Sequence, residues 1–71
     1  MPLRPLRSRE IIARIERAGF SFSRQRGSHA HFRDQQGRRV TVPIHTGDIR
    51  VPVIRNILLQ AGLTEEEWEQ L

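Results

Sequence analysis

The stretch from Arg24 to Arg33 constrains this chain more than any other. It reads Arg24-Gln25-Arg26, then a Gly27-Ser28 pair, then alternating polar and apolar residues through His29-Ala30-His31-Phe32-Arg33. Side chains of an extended segment point to opposite faces with a period of two, so Ala30 and Phe32 share one face while His29, His31 and Arg33 share the other. One face can enter a core; the other is polar and titratable. Gly27 supplies the backbone freedom of a tight turn, which starts the next strand at or near His29 and fixes that ring on a sheet rather than a loop.

The flanking segments extend this pattern into a meander. Phe20-Ser21-Phe22-Ser23 alternates like a half-buried strand and runs into Arg24. Asp34-Gln35-Gln36-Gly37 is a turn cluster, and Arg38-Arg39-Val40-Thr41-Val42 reads as a third strand ending at Pro43. Val40 and Val42 then join Ala30 and Phe32 on the inner face, leaving Arg39 and Thr41 on the outer face beside His29 and His31. Upstream, Ser8 is the expected N-cap of a helix from Arg9 to about Ala18, stopped by Gly19, with Ile11, Ile12, Ile15 and Ala18 as its apolar stripe. Downstream, residues 44–50 read as a loop carrying His45. Pro52 opens a second helix that buries Ile54, Ile57, Leu58 and Ala61 and ends at Gly62. Thr64-Glu65-Glu66-Glu67 matches a capping box, which predicts a short acidic helix within residues 64–71, with Trp68 and Leu71 against the body and Glu69 outward.

This order predicts an α+β fold of the form α-β-β-β-α: a three-stranded antiparallel sheet covered on one face by two helices, plus a short C-terminal helix. The arrangement resembles the double-stranded RNA-binding fold. At 71 residues the expectation is one domain spanning residues 1–71, with residues 1–7 as an extended, mobile basic arm. The absence of cysteine removes a disulfide framework and a thiolate nucleophile. No apolar run is long enough for a membrane helix, and Met1-Pro2-Leu3-Arg4-Pro5 lacks the apolar core of a signal peptide, so the expected setting is cytoplasmic with no membrane partner.

Charge narrows the partner. All twelve basic residues are arginine, and four of the eight acids lie at Glu65, Glu66, Glu67 and Glu69. Residues 1–63 therefore set twelve arginines against Glu10, Glu16, Asp34 and Asp48. The body is strongly basic and the tail acidic. A planar guanidinium suits phosphate oxygens, and a basic surface concentrates a polyanion. Imidazole takes and gives protons near neutrality, which RNA cleavage requires, because a base can free the ribose 2′-hydroxyl to attack its own phosphate. Among His29, His31 and His45, the strand-start position of His29 beside Arg24, Arg26 and Ser28 makes it the candidate proton-transfer group. His31 reads as a binding or surface residue. His45 would serve as a second proton carrier only if its loop folded over the sheet.

Other chemistries stand beside this one. His29, His31 and His45 could supply three nitrogens to zinc, against which the neighbouring arginines argue. Ser28 and His29 are adjacent on a strand and so point apart, which does not make a nucleophile–base pair. A non-catalytic RNA-binding module, or a domain whose basic surface meets an acidic protein, would need no histidine chemistry at all.

The residues Arg26-Gly27-Ser28-His29, Phe32-Arg33, Gly37-Arg38-Arg39, Val40-Thr41-Val42-Pro43 followed by His45, Arg55 with Ile57-Leu58, and Gln60-Ala61-Gly62-Leu63 together resemble the HicA family of toxin ribonucleases. The resemblance runs from Ser8 onward. It implies an mRNA interferase that cuts mRNA without a metal or small-molecule cofactor, uses the histidine of Gly-Ser-His, here His29, as its catalytic residue, and is neutralised by a HicB-type antitoxin. Expected RNA contacts are Arg24, Arg26, Gly27, Ser28, His31, Arg33 and Arg39. The alternative is a decayed toxin or binding module. Two departures from the family pattern stand out: Ala30 lies where many members carry a second histidine, and Pro52-Val53 replaces the Gly-Thr that opens the second helix.

Overall fold

The computed structural model describes residues 2–71. Its elements in chain order are β1 (Leu6–Arg7), α1 (Ser8–Arg17), β2 (Ser21–Arg26), β3 (His29–Arg33), β4 (Arg39–Pro43), β5 (Asp48–Ile49), α2 (Val51–Ala61) and α3 (Glu65–Glu69). Strands β2, β3 and β4 form an antiparallel sheet in that order, and β1 pairs with β5 in a second, two-stranded sheet. The expected α-β-β-β-α core is present. No helix is long and apolar enough to cross a membrane, among the described residues.

Alternation does what the sequence demands in β3 and β4. Ala30, Phe32, Val40 and Val42 are buried on one face, packed with Ile11 and Ile15 of α1 and Ile54, Ile57, Leu58 and Ala61 of α2. Both helices pack against β4, but the helical layer stops short of β2, all six residues of which are exposed. Phe22 is therefore not the half-buried residue its alternation predicts. It is 58% exposed, with its ring edge-on to Phe32 at 5.9 Å between centroids. Phe20, just before the strand, is the aromatic that enters the core.

Four further expectations need correction. Residues 1–7 are not a free arm throughout, nor are residues 44–50 simply a loop, because Leu6 and Arg7 pair with Ile49 and Asp48. Two-residue strands carry no periodicity to read, and Leu6 and Ile49 are held by burial. Ser8 does not cap α1: Arg7 occupies that position, and the Ser8 hydroxyl instead donates to the Pro43 carbonyl at 2.8 Å and accepts the His45 N–H at 3.3 Å. Arg38 precedes β4 rather than opening it. Asp34 holds it there, accepting the Arg38 and Gln36 backbone N–H groups and the Arg38 guanidinium, the last at 2.7 Å.

At the other end the capping box forms as read, with the Thr64 hydroxyl accepting the Glu67 N–H and the Glu67 carboxylate accepting the Thr64 N–H. This turns Trp68 into the core, where Arg14 of α1 lies over its ring at 5.2 Å and donates to its carbonyl at 2.9 Å. Leu71 is half-buried, and so is Glu69, which the sequence had placed outward.

Partial burial pulls the Asp34 carboxyl upward, but its bonds to the Arg38 guanidinium and to the Arg38 and Gln36 N–H groups outweigh this and hold it below the ordinary value of 3.8. A carboxyl with a lowered folded pKa contributes stability above its unfolded pKa, and that contribution is lost as the pH falls through the folded value. Urea midpoints of the parent and Asp34→Asn should therefore differ by a constant amount near neutrality and converge below about pH 4. A gap unchanged in acid would refute this account.

Candidate functional site

The sheet leaves one face without a helical layer, and the strand register decides what stands on it. Residues directly opposite in an antiparallel pair share a face. His29 faces Arg26 on β2 and Pro43 on β4, His31 faces Arg24 and Thr41, and Arg33 faces Ser21 and Arg39. The open face thus gathers His29, His31, Arg24, Arg26, Arg33 and Arg39 around the central strand. Gly27 and Ser28, nominated with them, lie outside the sheet in the β2–β3 turn.

For Arg24 and Arg26 this depends on an irregularity. Uninterrupted alternation from Phe22 would send both arginines to the helix side. The register instead shifts between Phe22 and Arg24, which leaves Ser23 as the extra residue of a β-bulge and turns Arg24 and Arg26 toward the histidines. Ser23 is the residue that sequence reasoning missed, because a bulge follows from how β2 must meet β3 and carries no local signature.

The Gly27-Ser28 loop joins β2 to β3 directly after the Arg26–His29 pair. Gly27 has φ +58, and no non-glycine residue among those described has a positive φ. A positive φ confined to the first central position, with glycine there, is the pattern of a type II′ hairpin turn. The turn is braced from both sides: the Gln25 side-chain amide donates to the Gly27 carbonyl at 3.0 Å, and the Ile44 N–H donates to the Ser28 carbonyl at 2.6 Å. His29 is exposed at the first position of β3, its backbone fixed by this turn and by the ladders on both sides.

His31 is half-buried, and its Nδ1 lies 3.1 Å from the Thr41 hydroxyl, which restrains the ring. Around it Ser23, Arg24, Arg33, Arg39 and Thr41 line a concavity of about 350 Å³. None of Arg24, Arg26, Arg33 and Arg39 forms an ion pair among the described residues, where the pairs are Arg7–Asp48, Arg38–Asp34 and Arg55–Glu65. The outer edge of the sheet is partly closed at β4, where the Thr41 N–H donates to the Gln60 side chain of α2 at 3.0 Å.

His45 stands elsewhere. Its Nδ1 accepts the Gly47 N–H at 3.2 Å, and it lines a separate groove with Arg7, Ser8 and Ile12 at the start of α1. Among the described residues no three histidine or carboxylate side chains come together as a metal-binding group, so the His29, His31 and His45 set does not assemble.

Chemically, the face offers one exposed imidazole at a rigid strand start, a second restrained imidazole, and four guanidinium groups free to meet anions. The family model described as the HicA toxin of bacterial toxin-antitoxin systems matches residues 8–63, which takes in every element from α1 to α2. A search among curated proteins returns no match.

Adding a Cβ at Gly27 meets nothing within 4 Å, so alanine there is penalised by backbone strain alone. Gly27→Ala should lower unfolding free energy by about 1–2 kcal/mol in urea titration, whereas Gly47→Ala, which needs no positive φ, should stay within about 0.5 kcal/mol of the parent.

Proposed function

The chain belongs to the HicA toxin family, and from that premise we propose that it is an mRNA interferase that cleaves RNA by histidine-mediated proton transfer on the open face of the sheet. The observation that carries this reading is the juxtaposition of His29 with arginines that have no acidic partner among the described residues. An RNA strand supplies its own nucleophile, so the protein needs no deep pocket. It must hold phosphates, shift a proton and stabilise charge at phosphorus.

In the proposed reaction His29 exchanges a proton with the reacting ribose. The 2′-oxygen loses its proton and bonds to phosphorus, the bond from phosphorus to the 5′-oxygen breaks, and that oxygen takes up a proton. The products are a 2′,3′-cyclic phosphate and a 5′-hydroxyl end. Arg26, opposite His29, and Arg24 are the guanidinium groups nearest along β2 to stabilise the pentacoordinate phosphate. The Gly27-Ser28 turn contributes by fixing His29 and by keeping side-chain bulk away from the approaching backbone. The α-β-β-β-α arrangement supports a double-stranded RNA-binding-like fold adapted to this use.

A HicB-type antitoxin is the proposed partner, and the basic face is the surface whose coverage would silence the toxin. The acidic α3 belongs to the other side of the molecule: its Trp68 is locked into the core, and Glu65 pairs with Arg55 of α2 at 3.6 Å.

His29 is exposed, so His29→Ala should fold like the parent. It should cleave single-stranded RNA about 10²–10⁴-fold more slowly in the presence of EDTA, the range for loss of one proton-transfer group, while still retarding RNA in a gel. Undiminished cleavage by the variant would remove His29 from the mechanism. Equal gel shifts with no cleavage by either protein would replace the interferase with an RNA-binding module.

A further inference from the structure

We propose that the concavity between Arg33 and Arg39 is a second phosphate subsite, which holds the phosphate next to the scissile one and lays a single RNA strand along β3. The proposal rests on the reading of His29 as the cleavage centre and adds to it a division of labour between two places on one face.

Four observations converge on this subsite. Arg33 and Arg39 stand directly opposite each other on the open face. Like charges in that position repel, and neither has an acidic partner among the described residues. An anion bridging the two guanidinium groups removes the repulsion and uses their forked donors. Beside them, His31 is restrained through Nδ1 by Thr41, which leaves Nε2 without a hydrogen bond among the described residues. Arg24 closes the β2 side, opposite His31, because the bulge at Ser23 has turned it there. These side chains line a concavity of about 350 Å³ that does not include His29.

Its position fits a neighbouring phosphate. His29 and His31 are two residues apart on one strand face, a separation of roughly 7 Å. That is comparable to the distance between successive phosphates of an extended single strand. With one phosphate at His29 and Arg26, the next falls beside His31, in the concavity that Arg33 and Arg39 line from one step further along the strand. The subsite therefore positions the strand, and His31, Arg33 and Arg39 act on binding rather than on the bond that breaks, while Arg24 stands between the two phosphates.

A fluorescently labelled 2′-deoxy oligonucleotide lacks the attacking hydroxyl and so reports binding without cleavage. Its affinity would be measured by anisotropy across a salt series for the parent, for Arg33→Gln/Arg39→Gln, and for Arg9→Gln/Arg17→Gln, which removes the same charge from exposed positions on α1. The sheet variant should lose about tenfold or more in affinity, and its log–log salt slope should become shallower by about 0.7, the increment for one phosphate of a single strand. The α1 variant should keep the parent slope. With an RNA that the parent cuts, the loss in the sheet variant should appear in KM rather than kcat. Equal losses in the two variants, an unchanged salt slope, or a fall in kcat at constant KM would each overturn the subsite. A parent that cuts no RNA would defeat the cleavage reading alone, since affinity and salt slope would still decide whether the subsite exists.

Discussion

Burial of Ala30, Phe32, Val40 and Val42 against α1 and α2 is the constraint on which the rest of this structure depends. These four residues occupy alternate positions on β3 and β4, so fixing them beneath the helices fixes the intervening residues on the opposite face. His29, His31, Arg33, Arg39 and Thr41 face outward for that reason. A one-residue slip of β3 would bury two imidazoles and expose the core, which makes the register strongly specified. The functional face is thus the reverse side of the hydrophobic core, and its precision derives from apolar packing rather than from its own contacts.

Edge strand β2 completes the face by a different route. Because the helices do not cover it, β2 is free of the inside–outside discipline that governs β3 and β4, and it can carry a bulge at Ser23 without opening a cavity. The bulge reverses the parity of the strand midway. Phe22 stays on the helix side, where it touches Phe32 from the margin, and Arg24 and Arg26 cross to the histidine side. The Gly27 turn then returns the chain at His29 with the correct phase. Two irregular backbone features, each only a residue or two long, thus place the arginines of β2 against the central strand.

Four of the eight acids are held away from that face by a local duty. Asp34 organises the β3–β4 turn and holds Arg38, Asp48 pairs with Arg7 beside the small β1–β5 sheet, and Glu65 pairs with Arg55. Glu67 is consumed in the capping box of α3. The consequence is a cationic surface that retains unneutralised guanidinium groups in a chain whose formal net charge is only +4. Charge segregation of this kind raises the local concentration of a polyanion.

The sequence by itself determined the elements whose pattern is local. The period-two alternation of β3 and β4, the stripes Ile11/Ile15 and Ile54/Ile57/Leu58/Ala61, the Gly27 turn and the Thr64–Glu67 capping box were all legible, because backbone geometry ties side-chain direction to residue spacing. The polar face of β3, with His29 at its start, was legible for the same reason. What only the tertiary structure decided involves residues far apart in the chain. The β1–β5 pairing, the diversion of Ser8 to Pro43 and His45, the Thr41–His31 bond and the separation of His45 from the sheet face each depend on where distant segments come to rest. The Ser23 bulge belongs with them: β2 must satisfy the register of β3 rather than its own alternation, and no run of Phe22-Ser23-Arg24 contains that information.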